Sequence, residues 1–134
     1  MIKTISYQNL KGNSMVIVYD SLTGQGKKFA LKLGYEGIKI SEYRETDDQQ
    51  VFLVTRSFNF GEVPKTTLDF LSLYHDRVIG TAVSGNRNWG SNYGKAGEVI
   101  EARYHIPLIV KFEMAGLDAD IKKVKAFIAN YFNK

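Results

Sequence analysis

The stretch MVIVYDSLTGQGKKFALKL, residues 15–33, decides the fold of this chain. It opens with a continuous apolar run at residues 15–19, passes through a short loop rich in Ser, Thr and Gly, and continues into a segment with helically spaced apolar residues. A continuous rather than alternating apolar run predicts a strand that is covered on both faces, as in a parallel sheet. The stretch therefore predicts a strand–loop–helix unit of an α/β fold.

The rest of the chain repeats this unit. Further apolar runs predict strands at residues 37–40, 51–54, 78–83 and 107–112. Helical segments are marked by Pro64 at a first turn, by Ala96, Val99 and Ile100, and by the apolar face of residues 121–131, with Asp118 and Asp120 as cap candidates. Five strands that alternate with four helices predict a doubly wound parallel sheet between two helical layers.

The first fourteen residues have no counterpart in this series. We expect residues 1–14 to be a peripheral or disordered N-terminal extension and residues 15–134 to be a single domain. Ile2, Ile5 and Tyr7 alternate with polar residues, so an edge strand is the alternative interpretation for this segment.

Composition narrows the classes of function. The chain has no cysteine, which excludes disulfides, thiolate nucleophiles and cysteine-type metal sites. The net charge of +4 is spread along the chain rather than gathered in a basic stripe, so nucleic-acid binding is not expected. No apolar run is long enough to span a membrane, and the N-terminus lacks the pattern of a signal peptide. We therefore expect a cytoplasmic protein.

The usual catalytic groups are not arranged for catalysis. His75 and His105 lie near predicted helix ends without evident metal-ligating neighbours, and the Gly-x-Ser-x-Gly motif of a nucleophile elbow is absent. Thr55 stands where a response regulator would carry an aspartate, and Glu113 is interpreted as a solvated or capping carboxylate. We predict no catalytic side chain and no metal site, so any reaction would be that of a bound cofactor.

Three loops follow the carboxyl ends of predicted strands, where ligands bind in doubly wound sheets. In the first loop, Ser21 and Thr23 precede a helix, an arrangement that suits either a phosphate or a plain helix cap. The second loop carries Phe58 and Phe60, and the third carries Trp89 and Tyr93, all of them able to cover a planar ring. A phosphate site beside flat aromatic surfaces predicts a mononucleotide, and FMN suits this architecture best.

The order of motifs adds a resemblance. The chain reads S-x-T-G at residues 21–24, T-x-x-x-x-F-G-x-V-P at 55–64, S-G-N-R-N-W-G at 84–90 and K-F-E at 111–113. Over about residues 15–130 this order resembles the NrdI family, flavodoxin-like FMN proteins that serve class Ib ribonucleotide reductase. The resemblance implies a flavodoxin-like sheet of strand order 2-1-3-4-5. The loop at residues 84–90 is its most specific part.

The resemblance also implies the site. It assigns cofactor binding to Ser21, Leu22, Thr23, Gly24, Gln25 and Gly26 at the phosphate, and to Ser57, Phe58, Asn59, Phe60 and Gly61 beside the ring. Ser84, Gly85, Asn86, Trp89, Gly90 and Tyr93 complete the assigned set on the other side of the ring. The sequence departs from many relatives at Gln25 and Gly26, where a shorter amide and a hydroxyl are lost. It also departs at Asn59, where glycine is common and where the residue is expected to tune the flavin N5.

The function that the resemblance implies is that of a redox partner or activator rather than a turnover enzyme. NrdI-type proteins accept electrons from a reducing partner, and their reduced flavin reacts with oxygen to supply an oxidant. That oxidant serves the dimanganese radical subunit and helps to generate its tyrosyl radical. The basic net charge favours this role over the alternative, a general electron-carrier flavodoxin, because ordinary flavodoxins are acidic and disfavour an anionic reduced flavin. A flavin-free interaction module is the third interpretation.

Overall fold

The computed structural model describes residues 7–8, 14–45, 49–59 and 61–133. Its strands are β1 (Tyr7–Gln8), β2 (Ser14–Tyr19), β3 (Gly37–Lys39), β4 (Gln49–Arg56), β5 (Val78–Ser84) and β6 (Leu108–Phe112). Its α-helices are α1 (Gln25–Lys32), α2 (Lys65–Tyr74), α3 (Lys95–Tyr104) and α4 (Asp118–Phe132). Short 3-10 helices cover Ile40–Glu42, His75–Arg77 and Arg87–Asn92.

The five predicted strands form a parallel sheet in the order β3-β2-β4-β5-β6, which confirms the order 2-1-3-4-5. The inner strand β2 pairs with the central strand β4 along its whole length, from Ser14 opposite Gln49 to Tyr19 opposite Val54. Because neighbouring parallel strands end together, the loops that follow β2, β4 and β5 open at one edge of the sheet.

The strand β1 adds a sixth member to this sheet. It pairs antiparallel with the start of β2, with Tyr7 opposite Met15, while β3 pairs with the end of β2. Residues 1–6 and 9–13 lie outside the described residues, so the predicted domain boundary at residue 14 stays a prediction. The strand that the sequence placed from residue 15 begins one residue earlier, at Ser14.

Alternate residues of the strands bury themselves against two different helical layers. Met15 and Ile17 point to a core shared with α1 and α4, whereas Val16 and Val18 point to a core shared with α2 and α3. All four side chains are fully buried. The helices therefore cover both faces of the sheet, as the continuous apolar runs predict.

The helix ends follow local chemistry. Pro64 lies just before α2, and its carbonyl accepts a hydrogen bond from Leu68 N–H at 2.9 Å. Asp120 Oδ2 accepts a hydrogen bond from Leu117 N–H at 2.8 Å, so this cap candidate closes the start of α4, while Asp118 is the first helical residue. In the described part of the chain, no helix has the length and apolar character needed to cross a membrane.

Candidate functional site

A cavity of about 390 Å³ opens at the carboxyl edge of the sheet. It is formed where the loops after β2, β4, β5 and β6 meet. Its lining consists of Asp20, Ser21, Leu22, Thr23, Gln25, Gly26, Arg56, Ser57, Phe58, Asn59, Ser84, Gly85, Asn86, Trp89 and Met114. This volume lies within the roughly 300–1,000 Å³ that is usual for small-molecule sites. The three loops singled out in the sequence thus share one cavity.

The first loop turns directly into α1. Gly24 caps the helix with φ 93°, a conformation that glycine adopts without strain. Ser21 Oγ accepts a hydrogen bond from Gly24 N–H at 3.0 Å, so this hydroxyl holds the loop in front of the helix. The amides of Gln25 and Gly26 stand in the first helical turn, where an α-helix offers no internal acceptor. The loop therefore presents backbone donors and a positive helix end to the cavity.

The second loop is a tight hairpin. Phe58 N–H donates to Glu62 O and Glu62 N–H donates to Phe58 O, both at 2.7 Å, and Gly61 N–H donates to Phe58 O at 3.1 Å. Asn59 is the second residue of the resulting four-residue turn and has φ 52°, in the left-handed region. Asparagine is among the few non-glycine residues that reach this region readily. The turn leaves the Phe58 side chain 45% exposed at the cavity.

The third loop is held by its own polar groups. Asn86 Oδ1 accepts a hydrogen bond from Asn88 N–H at 2.8 Å, and Asn86 O accepts one from Trp89 N–H at 3.0 Å. Arg87 N–H donates to Glu113 Oε2 at 2.8 Å, which ties this loop to the one that follows β6. The Trp89 side chain is 36% exposed and lines the cavity. These bonds fix a large aromatic surface on an otherwise polar loop.

Not all of the residues predicted for the site line the cavity. Gly24, Gly61 and Gly90 serve the backbone turns instead, each with a positive φ. Tyr93 packs behind the third loop, where a Cβ on Gly85 would come within 3.2 Å of its Cδ1. Its ring lies near the Arg87 guanidinium, 5.6 Å from the centroid, so the flavin contact predicted for Tyr93 stays a prediction. Phe60 lies outside the described residues.

Three residues that line the cavity were not among those predicted from the sequence. Asp20 follows β2 directly and Arg56 ends β4, so the strand-end rule reaches both, but charged residues at strand ends are too common to stand out. Met114 follows β6, is 74% exposed and has φ 55°. A positive φ at methionine is uncommon, and such strained residues concentrate at functional sites. No feature of the sequence indicates that backbone conformation.

The two histidines and Glu113, which were not assigned to the site from the sequence, lie in local hydrogen-bonding or helix-capping positions. His75 Nδ1 lies 2.9 Å from Leu71 O at the end of α2, and His105 caps α3 with φ 60°. Among the described residues, no group of His, Asp and Glu is arranged to hold a metal ion. Glu113 accepts one hydrogen bond from Arg87 N–H and forms an ion pair with the Arg87 side chain, which makes it a positioning residue for the third loop.

Ser57 lines the cavity and also caps the start of α3, and its replacement tests the capping role. Its Oγ accepts a hydrogen bond from Ala96 N–H at 3.0 Å in the first turn of α3. We expect Ser57→Ala to lower the free energy of unfolding by about 1 kcal/mol, the usual cost of losing a side-chain acceptor at a helix start. Urea denaturation measures this change, and Ser57→Thr, which keeps the hydroxyl, is the control. Equal stability of Ser57→Ala and the unmodified chain would contradict the capping role.

Known proteins resemble the chain over most of its length. The profile of a family described as NrdI Flavodoxin like matches residues 17–126. Protein NrdI of Macrococcus caseolyticus (strain JCSC5402) is 41% identical over 109 residues, which cover 81% of this chain and 84% of that protein. The SPbeta prophage-derived protein NrdI of Bacillus subtilis (strain 168) is 39% identical over 112 residues, with coverage of 81% and 86%.

Solved structures share the fold at much lower identity. A short-chain flavodoxin associated with a non-canonical PDU bacterial microcompartment superposes with a TM-score of 0.70 at 17% identity, covering 86% of this chain and 93% of that one. Oxidised Flavodoxin 2 from Bacillus cereus gives 0.60 at 18% identity, with coverage of 89% and 97%. These likenesses concern the fold alone. The family profile and the two close relatives go further, and they show that this chain belongs to the NrdI flavodoxin-like family.

Proposed function

We propose that the chain binds FMN in the cavity at the sheet edge and acts as the redox activator of a class Ib ribonucleotide reductase. The observation that carries this proposal is the meeting of a helix-start loop and two aromatic loops in one cavity, in a chain of the NrdI family. When bound, the flavin would supply electron transfer and, in its reduced form, reaction with oxygen.

The residues at the cavity fit this cofactor. The first loop offers the Ser21 and Thr23 hydroxyls together with the amides of the first turn of α1, a donor set suited to one phosphate. Phe58 and Trp89 present exposed aromatic side chains to the same cavity. Large apolar side chains left exposed at a cavity are typical of ligand sites rather than of ordinary surface. The phosphate and the ring of FMN therefore each have matching groups.

Each part of the chain would then have a role. The first loop would hold the phosphate, and Phe58 and Trp89 would cover the ring and exclude water from it. The Asn59 carbonyl is the acceptor that we expect for a proton on the flavin N5. The protein thereby orients the cofactor and adjusts its potential, while no side chain of the cavity needs to act as an acid, base or nucleophile.

The partners that we propose follow from family membership and charge. They are the dimanganese radical subunit of the reductase, which would receive the oxidant, and a separate protein that reduces the flavin. The net charge of +4 supports this role over that of a general electron carrier, because positive charge stabilises an anionic two-electron-reduced flavin. We propose that the protein works in the cytoplasm, where such a reductase would be found.

One experiment tests the proposal in two steps. Purified protein reconstituted with FMN should show flavin absorption and, after reduction and mixing with the radical subunit, manganese and oxygen, should generate the tyrosyl radical. An ordinary flavodoxin reduced in the same way is the control and should give little radical. Flavin binding without radical formation would favour the electron-carrier alternative, and absence of flavin binding would contradict the proposal as a whole.

Asn59 allows a separate prediction about the flavin potentials. Turning the peptide after the second residue of a primed β-turn interconverts types I′ and II′, and the second type is dominated by glycine at this position. Asn59 already has φ 52°, so it can enter the second form by a change in ψ without a change in the sign of its own φ. Asn59→Gly should ease the turn by about 1 kcal/mol. That energy corresponds to about 40 mV, so the two one-electron potentials should lie further apart by that amount.

Spectroscopic redox titration measures this separation. Asn59→Ala is the matched variant, since alanine like asparagine lacks the freedom in ψ that glycine has, so it should leave the separation close to that of the unmodified chain. If glycine and alanine at this position give the same separation as asparagine, then the peptide does not turn on reduction or Asn59 does not control it.

A further inference from the structure

A pair of opposite charges forms part of the cavity wall where the first two loops diverge. Asp20 follows β2, Arg56 is the last residue of the neighbouring β4, and both line the cavity. Asp20 N–H donates a hydrogen bond to Val54 O at 2.8 Å, which fixes the backbone of this residue to the sheet. Arg56 Nε lies 3.6 Å from Asp20 Oδ1, close enough for an ion pair but not for a hydrogen bond.

The Asp20 carboxylate is held in place on its other side. Its side chain is only 6% exposed, and its Oδ2 accepts hydrogen bonds from Thr66 Oγ1 at 2.5 Å and Thr67 Oγ1 at 2.6 Å. The Thr67 hydroxyl also lies 2.7 Å from the hydroxyl of Thr55. A buried carboxylate is tolerated when such donors and a cation compensate for its lost hydration. The carboxylate therefore has a fixed position beside the cavity.

Arg56 is less well satisfied than its partner. Its side chain is 20% exposed, but its Nε is buried and has no hydrogen-bond acceptor among the described residues. Leaving a buried donor of a charged group without an acceptor costs about 1–3 kcal/mol or more, and native proteins rarely do so. Because Nε itself is buried, a ligand in the cavity can meet only the exposed part of the Arg56 side chain, which belongs to the cavity lining. This charged side chain is therefore incompletely satisfied by the protein and open to a ligand on its exposed side.

The position of the pair indicates which part of the ligand it meets. Asp20 directly precedes Ser21 of the phosphate-type loop, and Arg56 directly precedes Ser57 of the hairpin loop with its exposed Phe58. A ligand with its phosphate at the first loop and its ring at the second must cross the wall between them. The pair lies at that crossing.

We infer that Arg56 binds the flavin nucleotide by donating a hydrogen bond to an oxygen of the chain between phosphate and ring, and that its charge favours the two-electron-reduced anion. Asp20 is the positioning residue that holds the guanidinium in place. The inference rests on the proposed function, since it takes FMN as the ligand, and it adds two residues that the motifs of the sequence did not single out. The two opposite charges largely cancel while both are present.

Because the two charges oppose each other, replacing one or the other should shift the flavin potential in opposite directions. Arg56→Met leaves the Asp20 charge uncompensated at the ligand, whereas Asp20→Asn keeps an oxygen for the two threonines and leaves the Arg56 charge uncompensated. We expect Arg56→Met to weaken FMN binding at least tenfold, or about 1.4 kcal/mol. It should also disfavour reduced over oxidised FMN tenfold, which is about 30 mV lower for the two-electron couple. Asp20→Asn should shift that potential upward.

Two further variants separate the effect of the charge from structural damage. Arg103→Met makes the same charge change on an exposed residue of α3 outside the cavity lining, so its affinity and potential should match those of the unmodified chain. Arg56→Lys keeps the charge but loses the planar guanidinium and its fixed set of donors, so it should bind FMN more weakly at a nearly unchanged potential. Titration of FMN fluorescence gives the affinities, and equilibration with a reference dye gives the potentials.

The outcomes are distinct. Shifts of the potential in the same direction for Arg56→Met and Asp20→Asn would indicate general damage and overturn the inference, as would unchanged affinity in Arg56→Met. If Asp20→Asn does not fold, the comparison of Arg56→Met with Arg56→Lys decides, because only the former should change the potential. An unmodified chain that binds no FMN would refute the proposed function itself, whereas normal binding with an insensitive Arg56 would refute only this inference.

Discussion

Replacing Gly116 with alanine should lower the free energy of unfolding by about 2–5 kcal/mol, the sum of a backbone cost and an overpacking cost. Gly116 has φ 82°, in the region where a side chain is strained. A Cβ at this position would lie 2.5 Å from Phe29 Cδ2 and 2.8 Å from its Cε2. Phe29 is fully buried and stacks on Phe112 with 4.0 Å between ring centroids, so it has no room to retreat.

Gly34 is the matched control for this substitution. It has φ 85°, and nothing lies within 4 Å of where its Cβ would be. Gly34→Ala should therefore show the backbone cost alone, about 1–2 kcal/mol. Urea denaturation of both variants measures the difference, which is the cost of the clash with Phe29. Equal losses of stability would contradict the packing argument.

A second variant tests the contact directly. Phe29→Leu shortens the side chain that Gly116 faces, so the loss from Gly116→Ala should be smaller in that background than in the unmodified chain. The turn matters for the site as well as for the core. Gly116 N–H donates to Glu113 O at 2.9 Å, and Met114 within this turn lines the cavity. The packing of Gly116 on Phe29 thus sets one wall of the cavity.

The sheet could be predicted from the sequence because burial on both faces leaves a local mark. Met15, Val16, Ile17 and Val18 are all fully buried although they alternate between two cores, and only a continuous apolar run meets that requirement. The strand order came from the resemblance and is confirmed by the pairing of β2 with both β3 and β4. The sequence indicated the pairing of β1 with β2 only weakly, since two residues at the edge of a sheet need little apolar character to form a strand.

The site could be predicted in part, because strand-end loops follow from the topology. The sequence indicated that the loops carrying Ser21, Phe58 and Trp89 would meet, and they line one cavity. Tyr93 is not among the residues that line this cavity, and its predicted contact with the flavin stays a prediction. The contact of Asp20 with Arg56 joins residues that lie far apart in the chain, so no local pattern of the sequence indicates it.

Trp89→Ala should weaken FMN binding by roughly 1–3 kcal/mol, a scale taken from the stacking of nucleic-acid bases on aromatic side chains. The change in the dissociation constant would be about 5–150-fold. Trp89 lines the cavity on a loop whose backbone is held by Asn86, so removal of the indole should leave the loop in place. The loss would then come from ring contact and from water admitted to the cavity, and the stability of the protein without FMN should change little.

The chain itself supplies the means to measure this effect. Trp89 is its one tryptophan, so quenching of intrinsic fluorescence during FMN titration reports on the cavity alone. The flavin's own fluorescence serves for Trp89→Ala. Trp89→Phe keeps a flat ring and should retain most of the affinity, and Leu73→Ala removes an exposed apolar side chain of α2 that does not line the cavity. If Trp89→Ala binds FMN as tightly as Leu73→Ala does, the indole does not cover the ring. Weak binding by Trp89→Phe would instead show that the indole N–H or the larger fused ring contributes to binding, since phenylalanine lacks both.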